Sequence, residues 1–171
     1  GVFPGSQFGH EFVGIVVEKG KNVSEDIKLQ SKVFVDPVMS QPYGVAGSVM
    51  AGAFSEYALV SNAKTGVNIY PLADDTDLNE AVIIEPMSVG AQGALAHNPK
   101  LDDKIVVLGA GPIGLGAIAG LIGRGIKNVV VVDRNDFRLA KAEALGAKTI
   151  NTTNNDLKEK LIEIFGVYPD Y

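Results

Sequence analysis

The sequence predicts an α/β chain in two unlike parts, an irregular β-rich part followed by an incomplete, doubly wound parallel sheet. Three observations support this. Up to about residue 70, short β-branched runs alternate with turn-forming residues. Beyond residue 100, strand-like and helix-like segments alternate regularly, and the strand-like ones, Val129 to Val132 above all, are apolar without interruption, as strands buried on both faces are.

Along the first part, strands are expected at Phe12 to Glu18, at "KVFVDP" from Lys32, at "GAFSEYALVS" from Gly52 and at "VNIYPL" from Val67, with a turn at Gly20-Lys21-Asn22. The stretch "MSQPYGVAGSVMAG" is small, glycine-rich and aperiodic, and reads as a long, mobile loop. Asp77 with Glu80 three residues on has the pattern of a capping pair, so a helix should start there. Glu85-Pro86 is expected to interrupt it, and "MSVGAQGALAHN" carries helical spacing until Pro99. Then follow strand "KIVVLG", helix Pro112 to Arg124, strand "NVVVVD", helix "NDFRLAKAEALG", strand "KTIN" and helix "NDLKEKLIEIFG". The organisation expected is therefore residues 1–76 for the β-rich part, 77–100 for linking helices and 101–171 for the first half of the parallel sheet.

Composition narrows the function. With 46% apolar residues among 171, the chain can bury a real core. A net charge of -5, from 15 basic and 20 acidic residues mixed along the chain, leaves no basic stripe for phosphates, so nucleic acid is not an expected partner. Cysteine is absent, which removes disulfides and thiolate metal ligands from this chain. The segment from Ile105 to Ile122 is broken by five glycines and a proline, so no membrane span is expected; no signal peptide is read, and the location expected is cytoplasmic.

The strongest local signal is "GAGPIG", which sets Gly109, Gly111 and Gly114 between a strand and a helix. The first glycine permits a tight turn, the second lets backbone amides approach a pyrophosphate, and the third lets the helix pack closely on the strand. The helix N-terminus then offers unpaired N–H groups and the positive end of its dipole. "VVVVD" ends in Asp133 near the separation the dinucleotide fingerprint requires, where a carboxylate accepts hydrogen bonds from the adenine ribose and repels a 2'-phosphate, favouring NAD over NADP. The competing reading is that Asp133 caps the next helix together with Asn135. Arg134 and Arg138 complicate the cofactor choice, because a guanidinium there tolerates the phosphate, although Arg138 also reads as a solvated helix residue. The candidate cofactor-binding set is Gly109, Gly111, Pro112, Ile113, Gly114, Asp133, Arg134 and Arg138.

"FGHEFVGIVVEKG" contains His10, one of two histidines, beside Glu11. Taken alone, a histidine in a β-region is more often a hydrogen-bonded structural residue than a metal ligand. Gly9-His10-Glu11-Phe12-Val13-Gly14, followed by Gly20 and Val23, together with "IIEPMSVG" and "VVLGAGPIGLGA", resembles the zinc-dependent medium-chain alcohol and polyol dehydrogenases in order and spacing over essentially all 171 residues. The Glu85-Pro86 pair is similar to the sorbitol and threonine dehydrogenase branch, where a glutamate stands in place of a cysteine. The resemblance implies a partial chaperonin-10-like (GroES-like) β-rich catalytic domain carrying zinc and a Rossmann domain presenting NAD. It also implies His10, Glu11 and Glu85 as the metal-binding and catalytic residues, with a small-molecule alcohol or ketone as substrate and a dimer or tetramer as the assembly.

The residue chemistry is compatible with that implication. A neutral imidazole nitrogen from His10 and a carboxylate oxygen from Glu85 are both accepted by zinc, which keeps a position open. Glu11 can share the ion only if the backbone turns between it and His10, since neighbours on an extended strand face opposite ways; it is placed as an intermittent or supporting ligand. For Glu85 the alternative is a carboxylate at a helix break bonded to nearby amides. His97, at a helix end, and the run Asp74-Asp75-Thr76-Asp77 read as structural.

Three departures from the family pattern bear on activity. The family's first zinc-ligating cysteine and the nearby hydroxyl of its proton relay fall upstream of Gly1, and the four-cysteine lobe for a structural zinc would fall near residues 40–52, which hold no cysteine. The sheet stops as its fourth strand should start, leaving the first parallel strand uncovered and prone to association. The expectation is a nearly inactive fragment of an enzyme roughly twice as long, acting on a secondary alcohol such as a polyol, sugar acid or amino alcohol. The alternatives are a zinc-free, NADPH-dependent quinone or enoyl reductase of the same superfamily, or a non-catalytic nucleotide-binding module.

Overall fold

A computed structural model describes residues 9–40 and 52–171, and the chain divides into two compact units, Gly1–Glu85 and Pro86–Tyr171. In the first unit, β1 (Val13–Ile15), β2 (Lys32–Val35) and β3 (Ile69–Pro71) form an antiparallel sheet in that order, with Val13 opposite Phe34 and Phe34 opposite Tyr70. Val33 and Val35 point to one face and pack with Ile27 and Ile69 into a small core, flanked by Phe12, Val16 and Val23.

This sheet is shorter than the sequence pattern suggests. The strand expected from Phe12 to Glu18 pairs regularly only over Val13–Ile15. Val16 still exchanges backbone bonds with Ser31 and Gln30, but Gln30 is left-handed at φ 67°, which interrupts the register. "GAFSEYALVS" forms no strand, because the Ser55 hydroxyl donates to the carbonyls of Gly52 and Tyr57 and holds the backbone in local bends. Most of the expected loop "MSQPYGVAGSVMAG" lies outside the described residues.

Asp77 does cap a helix: its carboxylate accepts the Asn79 amide at 2.8 Å and opens α1 (Leu78–Ala81). The interruption falls at Val82 and Ile83 rather than at Glu85-Pro86. Both residues sit in the first turn of α2 (Ile84–Leu95), where a proline's missing N–H costs the helix nothing.

The second unit follows the expected order closely. β4 (Ile105–Leu108), β5 (Val129–Asp133) and β6 (Lys148–Asn151) lie parallel in the order β4-β5-β6, with Ile105 opposite Val129 and Asp133 opposite Asn151. They alternate with α3 (Pro112–Gly123), α4 (Asp136–Ala144) and α5 (Leu157–Phe165). Val129 and Val131 pack toward Ile118, Leu121, Leu139 and Ala142, while Val130 and Val132 pack toward Ile150 and Leu161. This two-sided burial is why the strand reads as an unbroken apolar run. Together the two units make a mixed α/β chain with a Rossmann-like parallel sheet.

On the outer edge of β4, Tyr171 donates to the Lys104 carbonyl and accepts from the Val106 amide, the bonding of a parallel neighbour. Further along that edge Leu108 is 77% exposed. A cleft of about 770 Å³ follows it, lined by Val106, Leu108, Pro112, Ile113, His97 and Tyr171. Gly109, Gly111 and Gly114 of the glycine loop also line it. Among the described residues no helix is long and apolar enough to cross a membrane.

Candidate functional site

Two constellations stand out, one in each unit. In the first, Gly9 turns the chain before β1 with φ +81°, and a Cβ there would lie 2.6 Å from the Phe54 ring, so the position admits only glycine. His10 and Glu11 precede β1 and lie outside any ladder, so the strict alternation of a paired strand does not hold their side chains to opposite faces. Glu85, in the first turn of α2, completes the group: one ligand atom from each of His10, Glu11 and Glu85 lies within 4.8 Å of the others. His10 Nε2 stands 3.7 Å from Glu85 Oε1, with the His10 side chain 51% exposed and that of Glu85 13% exposed. Glu85 is thus the less exposed donor, and among the described residues no amide donates to its carboxylate.

The donor set fits a zinc ion. Tetrahedral zinc with bonds of about 2.0–2.2 Å to nitrogen and oxygen holds its ligands about 3.4 Å apart. The 3.7 Å pair meets that spacing almost without movement. The remaining carboxylate must close by at most about 1.4 Å, a side-chain rotation for the exposed Glu11.

The second constellation is made mainly of backbone. Gly109 has φ +101° and its amide donates to Val132 at 2.7 Å, which swings the chain off β4 beside β5. A Cβ on Gly111, the N-cap of α3, would meet no atom of the described residues within 4 Å. A Cβ on Gly114 would lie 1.9 Å from the Gly109 carbonyl oxygen, so the third glycine is a requirement of helix–loop packing. Pro112 is at the first helical position, where its fixed φ is favourable. The Ile113 and Gly114 amides have no acceptor among the described residues, as helix-start amides do before a ligand takes them.

Asp133 lies at the end of β5, beside this loop. Its Oδ2 accepts the Ala110 amide at 2.8 Å, and its Oδ1 accepts the Arg134 and Asn135 amides at 2.7 and 2.9 Å. These bonds, that from Ala110 foremost, hold its carboxyl below the ordinary value of 3.8; the nearby Arg138 guanidinium adds the smallest contribution. The helix cap is Asn135 alone, accepting the Arg138 amide at 3.2 Å. The guanidinium groups of Arg134 and Arg138 form no ion pair or hydrogen bond among the described residues.

Sequence reasoning missed two features here. The Ala110 amide is a backbone group, which side-chain identity does not reveal. The second is α2, which packs on α3 at near-backbone distance: a Cβ on Gly90 would lie 2.1 Å from the Ile113 carbonyl, and one on Gly116 2.7 Å from that of Met87. The signal for that contact was present as Gly116 and Gly120, four residues apart on one helix face.

Comparison with known proteins accords with this geometry. The sequence pattern of the family described as zinc-binding dehydrogenase matches residues 112–171. The starvation-sensing protein RspB of Escherichia coli is 36% identical over 91% of this chain and 49% of its own length. The (R,R)-butanediol dehydrogenase of Bacillus subtilis is 32% identical over 86% of this chain and 45% of its own. The crystal structure of an RspB alcohol dehydrogenase from Escherichia coli CFT073, complexed with cofactor NADH, superposes with a TM-score of 0.77 at 32% identity, covering 95% of this chain and 51% of that one. The chain belongs to the zinc-dependent medium-chain dehydrogenase family. It spans about half the length of the curated relatives it matches.

Proposed function

We propose that this chain forms the zinc-binding and NAD-binding part of a dehydrogenase that moves a hydride between a secondary alcohol and NAD. The substrate is a small polyol, sugar acid or amino alcohol and its ketone, and the working assembly is a dimer or tetramer. The observation that carries the reading is the convergence of Glu85 on the neighbouring His10 and Glu11, far from it in sequence, at zinc-compatible spacing. His10 and Glu85 hold the ion, and Glu11 stands beside them as an intermittent ligand. When bound, zinc supplies the Lewis acidity that lets an alcohol give up a proton and a hydride. The glycine loop and the start of α3 bind the cofactor diphosphate through the Ile113 and Gly114 amides, and Asp133 takes a ribose hydroxyl.

Metal analysis tests the first half of this. Purified protein is expected to carry stoichiometric zinc, and His10→Ala or Glu85→Ala to weaken its binding by at least about 10- to 100-fold, the range seen when even supporting residues of a zinc site are altered. Full zinc occupancy in both variants would sink the assignment. Turnover with NAD across a panel of polyols, sugar acids and amino alcohols tests the second half.

A further inference from the structure

We propose that Asp133 is a positioning residue for the glycine loop, in addition to any contact with ribose. An ionised carboxylate offers about four acceptor positions. Three of those on Asp133 are filled by backbone amides, and one of these amides, that of Ala110, belongs to the loop itself, between Gly109 and Gly111. The loop is also held by the Ala110 methyl, which is buried in the core of the unit, by the Gly109 amide donating to Val132 and by the Leu115 amide donating to the Gly111 carbonyl, but none of these engages the Ala110 amide itself. The Asp133–Ala110 bond ties the loop to the carboxyl end of β5 before any ligand arrives. The diphosphate-binding amides are thereby set in advance, and one acceptor position is left on Oδ2 for a ribose hydroxyl.

The consequence rests on the dinucleotide reading above and concerns specificity. If Asp133 only repelled a 2'-phosphate, its removal would improve NADP binding. As a strut, its removal loosens the loop for every dinucleotide, so NADP gains less affinity than relief of the repulsion alone would give, and NAD loses more than its ribose contact alone would cost. The carboxylate is then a poor single point at which to switch cofactor, because the change that removes the repulsion also removes the support.

Two measurements on Asp133→Ala test this. In the ligand-free protein, exchange of the Ala110 amide should speed up by about 10-fold or more, while the Gly109 amide, bonded to Val132, keeps its rate. In binding, an analogue lacking the adenosine 2'- and 3'-hydroxyls should weaken by about 10-fold through the loop alone, and NAD by more, because it also loses the ribose contact. Asp133→Asn serves if the alanine variant does not fold, since its single carbonyl oxygen cannot serve both Ala110 and the Arg134–Asn135 pair; weaker binding of the diol-free analogue is again expected. An unchanged Ala110 exchange rate, or a loss confined to NAD while the diol-free analogue is unaffected, overturns the strut. Failure of the unaltered protein to bind NAD overturns the functional reading instead and leaves the exchange measurement to decide the strut.

Discussion

The first unit buries Ile27, Val33, Val35 and Ile69 between three short antiparallel strands, whereas β5 of the second unit alone buries four consecutive valines. The candidate chemistry divides the same way. In the first unit it consists of side chains from residues 10, 11 and 85 on irregular backbone and a helix start; in the second it consists largely of amides within one strand–turn–helix segment, with one carboxylate from the next strand. A parallel sheet with helices on both faces is built from repeated local units, so its binding edge is also local. The small antiparallel unit relies on long connections, and its donors meet only because distant segments are folded onto one another.

The largest effect expected from this contrast is on stability. Ile118 has no exposed surface and belongs to the core between α3 and β5, so Ile118→Ala should cost about 2–5 kcal/mol in denaturant unfolding. Ile15, on β1 but 47% exposed, should cost no more than about 0.5 kcal/mol on the same change. Equal losses at the two positions would break the comparison. Smaller is the cap of α4: Asn135→Ala removes the acceptor of the Arg138 amide and should cost about 0.5–2 kcal/mol. A zero cost would mean that Asp133 takes over that amide.

The smallest effect concerns acid. The Asp133 carboxyl titrates below its ordinary 3.8 because the Ala110, Asn135 and Arg134 amides favour its charged form. The stability this contributes is therefore present above pH 3.8 and is lost as pH falls through the lower folded value. The stability difference between the unaltered protein and Asp133→Asn should stay level from about pH 7 to pH 4 and then shrink, with solvent keeping it modest. A difference that instead shrank well above pH 4 would mean the carboxyl is not stabilised in its charged form.

How far the sequence could be read follows from the same contrast. The second unit's elements were legible nearly to the residue: "KTIN" is β6 as expected, and "NVVVVD" is β5 with one residue trimmed. Strands buried on both faces and helices with a 3.6-residue period leave a mark that needs no knowledge of a partner. In the first unit, β-propensity at "GAFSEYALVS" was overruled by Ser55 bonding to its own neighbourhood, and the first expected strand was cut short by the backbone at Gln30. The sequence alone places an interruption at Pro86, because a proline's effect depends on its place in the turn, which periodicity does not reveal.

For the candidate site, the identities of His10, Glu11, Glu85, the three glycines and Asp133 were all visible, since each carries its chemistry in its side chain or in the lack of one. The amino-acid order thus determined the fold class, the position of the phosphate-facing turn and which residues could hold a cation. Tertiary structure alone decided that Glu85 comes within reach of His10 and Glu11, and that Asp133 binds the Ala110 amide. The reason is one of range: propensity and periodicity act over a few residues, while these contacts depend on where packing carries whole segments.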